Sequence, residues 1–235
     1  TFPQVKKVVW ATPDPHYTEK LMNVLPDKFK EELKKLTIHK GDIHNMAAHT
    51  GEEFDLVIIH LPHPTTLVLN SFFTEEFYIN LKQNMAKKGL LSVQTLAGEN
   101  YLGSELVYIG ASVFETLKRV FKKVVIKPGE QSWLIASDDV QLTGSLEILK
   151  ERYKKIESHQ IIYPIQGLEL MYQADRAEFQ RGKYKEISEE VGKDFLINTE
   201  SKPKALFHGL LFSLKMTSNV MLNPRLSRFL VHYGL

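Results

Sequence analysis

Phe54-Asp55-Leu56-Val57-Ile58-Ile59, followed by His60-Leu61-Pro62-His63-Pro64-Thr65-Thr66, decides the fold. Four consecutive apolar residues, three of them β-branched, have the composition of a central parallel strand covered by helices on both faces. The two prolines that follow force a loop at its end. Downstream, Thr74 stands as a helix N-cap, with Glu75 and Glu76 in the first turn where carboxylates meet the positive end of the helix dipole. That helix is expected to run to about Met85. Lys87-Lys88-Gly89 reads as a basic, glycine-stopped terminus before a second buried strand at residues 90–94. Leu106, Ile109, Val113, Leu117 and Val120 then fall at helical spacing in a long amphipathic segment, residues 102–120. Strands at 124–127 and 132–136 flank the turn dipeptide Pro128-Gly129.

Working upstream, residues 5–10 form a β-branched run closed by Thr12-Pro13-Asp14-Pro15. Short helices are expected at 17–24 and 27–36, and a short strand at 36–40 ends in Gly41-Asp42. Strands alternating with helices and closing in a hairpin specify an α/β fold. By fold-level analogy it is a Rossmann-like sheet of the S-adenosylmethionine methyltransferase type, mostly parallel, with a reversed strand near the C-terminal hairpin. Beyond Asp138 the pattern becomes helical at 146–156, 175–181 and 205–217, with a short extended piece at 161–163. The expected organisation is a sheet domain over residues 1–140 and a mainly helical extension, 141–235, packed on it.

The composition narrows the function. Hydrophobic residues make up 43% of 235, enough to bury a full core. Lys and Arg number 30 against 28 Asp and Glu, a formal charge of +2, so no global field favours nucleic acid. Without cysteine there is no disulfide, thiol nucleophile or cysteine-based zinc site, which fits a reducing compartment, and a cytoplasmic location is expected. No apolar run reaches the ~18 residues of a membrane-spanning helix. Residues 205–214 are apolar, but they contain His208 and Gly209 and lie between Lys204 and Lys215. Residues 202–235 are therefore expected to form an amphipathic packing element, not a membrane span, that can also lie against lipid or a partner subunit.

Ligands of open α/β sheets bind outside the carboxyl ends of the strands, so the residues just after each strand are the site candidates. Thr12 and Asp14 follow the first, Asp42 the second, His60 and His63 the third, and Gln94 the fourth. Carboxylates there hold ribose hydroxyls or an adenine amine; Asp also caps helices and fixes turns, and spacing alone does not choose. His60 and His63, with His39, His44 and His49, also fit a metal site, but no HExxH motif is present. No metal is expected, and surface-loop positions are expected for His39, His44 and His49. Neither GxGxxG nor GxxxxGK[ST] occurs, so the backbone cradles for pyrophosphate and triphosphate are absent from the sequence, as is the GxSxG nucleophile elbow.

The order Gly41-Asp42, Phe54 to Ile59, Leu61-Pro62-x-Pro64 and Phe73-Thr74-Glu75-Glu76-Phe77-Tyr78 resembles the spermidine synthases, the polyamine aminopropyltransferases. Lys88-Gly89-Leu90-Leu91-Ser92-Val93-Gln94 and Trp133-Leu134-Ile135-Ala136-Ser137 continue it, so that it covers about residues 5 to 138. Leu61-Pro62-His63-Pro64-Thr65-Thr66, Gly98-Glu99-Asn100-Tyr101-Leu102 and the tail with Asn198, Thr199 and Pro203 look like the bacterial members often fused to membrane helices.

The resemblance implies transfer of an aminopropyl group from decarboxylated S-adenosylmethionine to a polyamine, without metal. It makes Asp42 the adenine-contacting acid, puts Asp14 beside the ribose and makes Gln94 a substrate contact. A homodimer is compatible with it, as is membrane association through sequence outside these residues, and the oligomeric state stays open. Three departures follow from it. Thr12 stands in place of the usual ribose-binding acid, His60 in place of the catalytic Asp, and His63 in place of an acidic residue. A further strand and glycine-rich loop are expected to lie ahead of these residues. The functional alternatives are a non-catalytic binding or regulatory domain that keeps the fold, and an S-adenosylmethionine-dependent methyltransferase using a loop histidine as base.

Overall fold

In the computed structural model, which describes residues 3–12, 14–41, 43–44, 53–98, 102–139, 141–156 and 163–217, Val8–Ala11 (β1) and Leu36–His39 (β2) pair in parallel. Their register runs from Val8 opposite Leu36 to Ala11 opposite His39, so both strands end at the same sheet edge. Between them, Pro15–Asn23 (α1) starts on a proline, with the Asp14 carboxylate accepting a hydrogen bond from the Tyr17 amide. The helix expected over 27–36 is shorter, a 3-10 turn at Asp27–Phe29 and one α-turn at Lys30–Leu33 (α2), because Leu36 onward is taken up by β2. His39 lies on β2 and is half-buried, which corrects its expected surface-loop position. His44 is among the described residues; His49, Asp42 and residues 161–162 lie outside them.

The chain divides into two compact units, Thr1–Glu52 with Leu146–Leu170, and Glu53–Ser145 with Met171–Leu235. The second contains a four-stranded sheet of order β3-β4-β6-β5, built from Phe54–Ile59 (β3), Met85–Leu96 (β4), Lys123–Lys127 (β5) and Gln131–Ser137 (β6). β3 and β4 are parallel, and β6 runs antiparallel to both of its neighbours, which makes it the expected reversed strand. The hairpin from β5 to β6 turns on Pro128 and Gly129, whose φ of 148° a side chain would strain.

β4 begins at Met85, five residues before its expected start, so Lys87-Lys88-Gly89 lies inside a strand and does not end a helix. The register against β3 shifts between Phe54, opposite Met85, and Leu56, opposite Leu90. Gly89 sits in that bulge, where a Cβ would come within 3.0 Å of the Phe54 carbonyl oxygen. Thr74 caps Glu75–Lys82 (α4) as its sequence indicates, accepting a bond from the Phe77 amide at 3.3 Å. Ahead of α4 stand the single turn Leu67–Asn70 (α3) and a 3-10 turn at Ser71–Phe73.

Double coverage of β3 is not found within this unit. β3 is an edge strand of the sheet among the described residues, and Leu56 and Ile58 remain 54% and 58% exposed while Ile59 on the opposite face is buried. The covering helix, Ser104–Val120 (α5), packs on β4, β5 and β6, with Ile109, Val113 and Leu117 fully buried. Leu146–Lys154 (α6) and Gly167–Met171 (α7) follow β6, Tyr153 of α6 donating its hydroxyl to the Tyr163 carbonyl at 2.9 Å. Ala174–Val191 (α8), Lys193–Leu196 (α9) and Lys204–Thr217 (α10) all pack on α5.

α10 meets α5 through a buried histidine. His208 stacks on Tyr108, ring centroids 4.4 Å apart and planes 9° from parallel. Burial pushes its pKa down to about 4, against a smaller upward pull from Glu105, and Lys204 lowers it further. Since the folded value lies below the unfolded one near 6.5, the neutral ring's contribution is complete above pH 6.5 and is lost as pH falls towards 4. That shift corresponds to about 3 kcal/mol. Glu105 is paired with Lys215 and nearly buried. Burial opposes its ionisation, but the Lys215 hydrogen bond and charge hold its pKa below the usual 4.5, so its own contribution is lost at lower pH. Denaturant unfolding of the native chain and a His208→Gln variant at pH 7.5, 6, 5 and 4.5 is expected to show a steep loss below 6.5 in the native chain and a flatter curve in the variant. Parallel curves would refute the assignment.

Candidate functional site

Parallel pairing places the carboxyl ends of β3 and β4 at one sheet edge, and the antiparallel β6 starts there, with Gln131 opposite Leu96. A cleft of ≈ 370 Å³ opens at this edge, walled by His60 to His63 on one side and by Gln94, Thr95, Leu96 and Gln131 on the other. Three of the six candidate residues, His60, His63 and Gln94, therefore come together.

The two histidines differ. His60 is exposed, its ring 5.7 Å from that of Trp133 and tilted by 51°. His63 is turned against α10. Its ring meets Phe212 edge-on at 5.4 Å, and its Nε2 lies 3.5 Å from the Ser213 hydroxyl. Burial holds the His63 imidazole below its ordinary pKa, so it is neutral at neutral pH. The loop is seated on α10 where Gly209 leaves no side chain, since a Cβ there would collide with the Pro64 carbonyl. His60 is the imidazole free to act in the cleft.

Against the adjoining ends of β4 and β6, α8 places a buried polar cluster. Gln180 donates to the Tyr184 hydroxyl at 2.6 Å and accepts from the Ser132 hydroxyl at 3.0 Å. Tyr184 also hydrogen-bonds Thr95, whose hydroxyl reaches the Ser132 carbonyl at 3.4 Å. Burial, only partly offset by the Gln180 and Thr95 bonds, pushes the Tyr184 phenol up to about 12, so it stays protonated. These contacts fix the end of β4 and leave Gln94 with a distinct environment. Gln94 is 8% exposed, and its Oε1 is buried with no hydrogen-bond partner among the described residues.

In the first unit, Thr12 and Asp14 follow β1 at the edge where β2 ends in His39. The Asp14 carboxylate is exposed and caps α1 at 2.9 Å, and its amide faces the Thr12 hydroxyl at 3.4 Å. The His39 Nε2 is buried without a partner among the described residues. Among the described residues no group of three or more His, Asp or Glu is arranged to hold a metal ion, and no helix is long and apolar enough to cross a membrane.

No protein-family model matches the chain. Polyamine aminopropyltransferases from two strains of Prochlorococcus marinus are each 28% identical to it, one over 127 residues and the other over 155. These alignments cover 52% and 59% of this chain and 43% and 51% of those proteins, so the chain spans about half the length of the curated relatives it matches. The spermidine synthase of Thermotoga maritima superposes with a TM-score of 0.55 at 18% identity, over 77% of this chain and 60% of that one. A spermidine synthase in complex with the transition state analogue AdoDATO gives 0.54 at 16% identity, with the same coverage.

The fold is spermidine synthase-like. In this spermidine synthase-like sheet the cleft stands at the carboxyl edge, where α/β folds bind ligands. Gln131, Trp133, Gln180 and Tyr184 were not singled out by the sequence. Gln131 reaches the cleft only through antiparallel pairing, which also sets Trp133 opposite Gln94, and the two α8 residues meet the strand ends only through helix packing, so none of the four follows a strand end in the sequence. Thr95 was the one readable signal, adjacent to Gln94.

Proposed function

We propose that this chain belongs to an aminopropyltransferase-like enzyme in which His60 is the proton acceptor, Gln94 contacts the acceptor amine, and Thr12, Asp14 and Asp42 hold the nucleoside of decarboxylated S-adenosylmethionine or S-adenosylmethionine. The supporting observation is that His60, His63 and Gln94, distant in sequence, line one cleft at the carboxyl edge of a spermidine synthase-like sheet. In the reaction the amine nitrogen attacks the aminopropyl carbon next to the sulfonium sulfur. An N–C bond forms, the C–S bond breaks, and its electron pair neutralises the sulfur, releasing methylthioadenosine. The proton left on the amine passes to His60, an imidazole whose ordinary pKa near ~6.5 suits a general base at neutral pH.

Residues 1–140 are read as the part that handles the cofactor and 141–235 as a mainly helical extension. The unpaired edge of β3, with Leu56 and Ile58 exposed, is suited to a further parallel strand and its glycine loop. A second reading, a binding domain without chemistry, is favoured by one observation: among the described residues no carboxylate lines the cleft.

Calorimetric titration of methylthioadenosine tests the nucleoside assignment. The whole natural protein is expected to bind it, with Asp42→Ala at least tenfold weaker. Residues 1–235 alone are expected to bind weakly or not at all, because Asp14 and Asp42 do not replace the backbone donors of a glycine loop. No binding by the whole protein, or unchanged affinity in Asp42→Ala, would overturn the reading.

A further inference from the structure

We propose that the bulged start of β4 forms a second ligand site, for a compact oxyanion of the phosphate class, at the sheet edge opposite the cleft. It shares no residue with the cleft and does not depend on the chemistry read there.

Topology sets the place. β4 begins where the antiparallel β6 ends, so the edge that holds Met85 also holds Asp138 and Asp139, just past β6, and Lys122, just ahead of β5. A cavity of ≈ 400 Å³ opens there, and Lys82, Lys87, Lys88 and Lys122 stand in its walls with the two aspartates. In a regular strand Lys87 and Lys88 would face opposite sides of the sheet. Here residues 86–89 stand against Asp55 alone, between the Phe54–Met85 and Leu56–Leu90 pairs, and the bulge brings both lysines to one space. Gly89 makes the bulge possible, because a Cβ would lie 2.9 Å from the Ala86 carbonyl oxygen. Its own carbonyl accepts from the Ser137 hydroxyl at 2.8 Å, which ties the bulge to the end of β6.

Charge selects the ligand. Four ammonium groups meet two carboxylates, so the described lining keeps two positive charges in surplus. Both carboxylates are already engaged. Asp138 pairs with Lys82 at 2.8 Å and accepts from the Lys122 amide at 3.1 Å, and Asp139 accepts from the Gln141 amide at 2.9 Å. Lys82 also donates to the Val120 carbonyl at 2.7 Å, so it braces the wall. The exposed Lys87 and Lys88 are the ammonium groups placed to meet a ligand, each with three donors for its oxygens. A phosphoryl group offers a double negative charge and several acceptors in a small volume, which matches that surplus. An extended polyanion such as single-stranded nucleic acid fits less well. Asp138 and Asp139, with the exposed Glu53 and Asp55 at the start of β3, interrupt the basic surface it would follow.

The test is calorimetric titration of sodium pyrophosphate into the whole natural protein at pH 7.5 and ~0.15 M ionic strength, where diffuse surface attraction is screened. Saturable one-to-one binding is expected. Lys87→Gln combined with Lys88→Gln is expected to weaken it at least tenfold, while Lys185→Gln, at an exposed lysine of α8 outside the cavity, changes it less than twofold. Asp139→Asn keeps an oxygen for the Gln141 amide and removes a negative charge from the wall, so it is expected to tighten binding at least threefold. Shifts in opposite directions keep the result readable where one variant folds poorly. Absence of saturable binding by the native protein, equal affinity in the double lysine variant, or the same loss in Lys185→Gln would overturn the proposal. So would a single-stranded oligonucleotide that binds more tightly than pyrophosphate and competes with it.

Discussion

Replacing Asn198 with alanine is expected to destabilise the second unit by about 4 kcal/mol, from two buried partners each stranded at a cost of ~1–3 kcal/mol. Asn198 is fully buried in the segment between α9 and α10. Its side-chain amide donates to the Phe73 carbonyl at 2.9 Å, and its side-chain oxygen accepts from the Ala205 amide at 3.1 Å. Its backbone reaches two further elements, donating to the Thr116 hydroxyl at 2.9 Å and accepting from the Glu75 amide at 2.8 Å. Alanine keeps the backbone pair and strips the side-chain pair. The Phe73 carbonyl and the Ala205 amide, both on buried residues, then lack partners and have no water to turn to. For a chain of this size the loss corresponds to a fall in melting temperature of about 10 °C. Asn70→Ala, which removes only the acceptor for the Leu206 amide, is the milder control. Circular dichroism melts of the three proteins decide it, and a loss under about 1 kcal/mol for Asn198→Ala would contradict the assignment of Asn198 as the joint between α4, α5 and α10.

What the sequence made legible was local. The bounds of β3, the Thr74 cap and the Pro128-Gly129 turn each depend on a few adjacent residues, and the structure reproduces them. The extent of β4 was not legible, because Lys87-Lys88-Gly89 has the composition of a helix end and is held extended only by pairing with Phe54 across a bulge. α8 was expected over 175–181 and runs from Ala174 to Val191. Its buried face consists of Ala177, Gln180, Tyr184 and Ser188, at helical spacing but largely polar, so a search for apolar periodicity passes over it. That polar face also makes the contacts to Ser132 and Thr95, which is why the same reading missed both the helix and those contacts. His60, His63 and Gln94 were legible because each lies within a few residues of a strand's carboxyl end, and the carboxyl edge of a parallel sheet gathers such residues whatever the helices do.

The largest effect on activity is expected at His60. A catalytic carboxylate at this position would do two things, take the proton from the attacking amine and attract the acceptor's charge. Histidine does the first and not the second. Each unit charge held at ~4 Å by a carboxylate contributes roughly 4 kcal/mol at an effective dielectric near 20. Its loss for a dication, in a cleft whose described lining holds no carboxylate, corresponds to a hundredfold or greater decrease in productive binding.

The central claim, a spermidine synthase-like cleft in which His60 is the base and the dication is not held, is tested most directly by an aminopropyl-transfer assay on the whole natural protein. Decarboxylated S-adenosylmethionine is the donor, putrescine and 4-aminobutan-1-ol are the acceptors, and the native chain is compared with His60→Ala and His60→Asp. The expected result is transfer to the monoamine that is lost in His60→Ala, negligible transfer to putrescine by the native chain, and at least a hundredfold gain with putrescine in His60→Asp. Robust native turnover of putrescine, or transfer to the monoamine that survives His60→Ala, would contradict it.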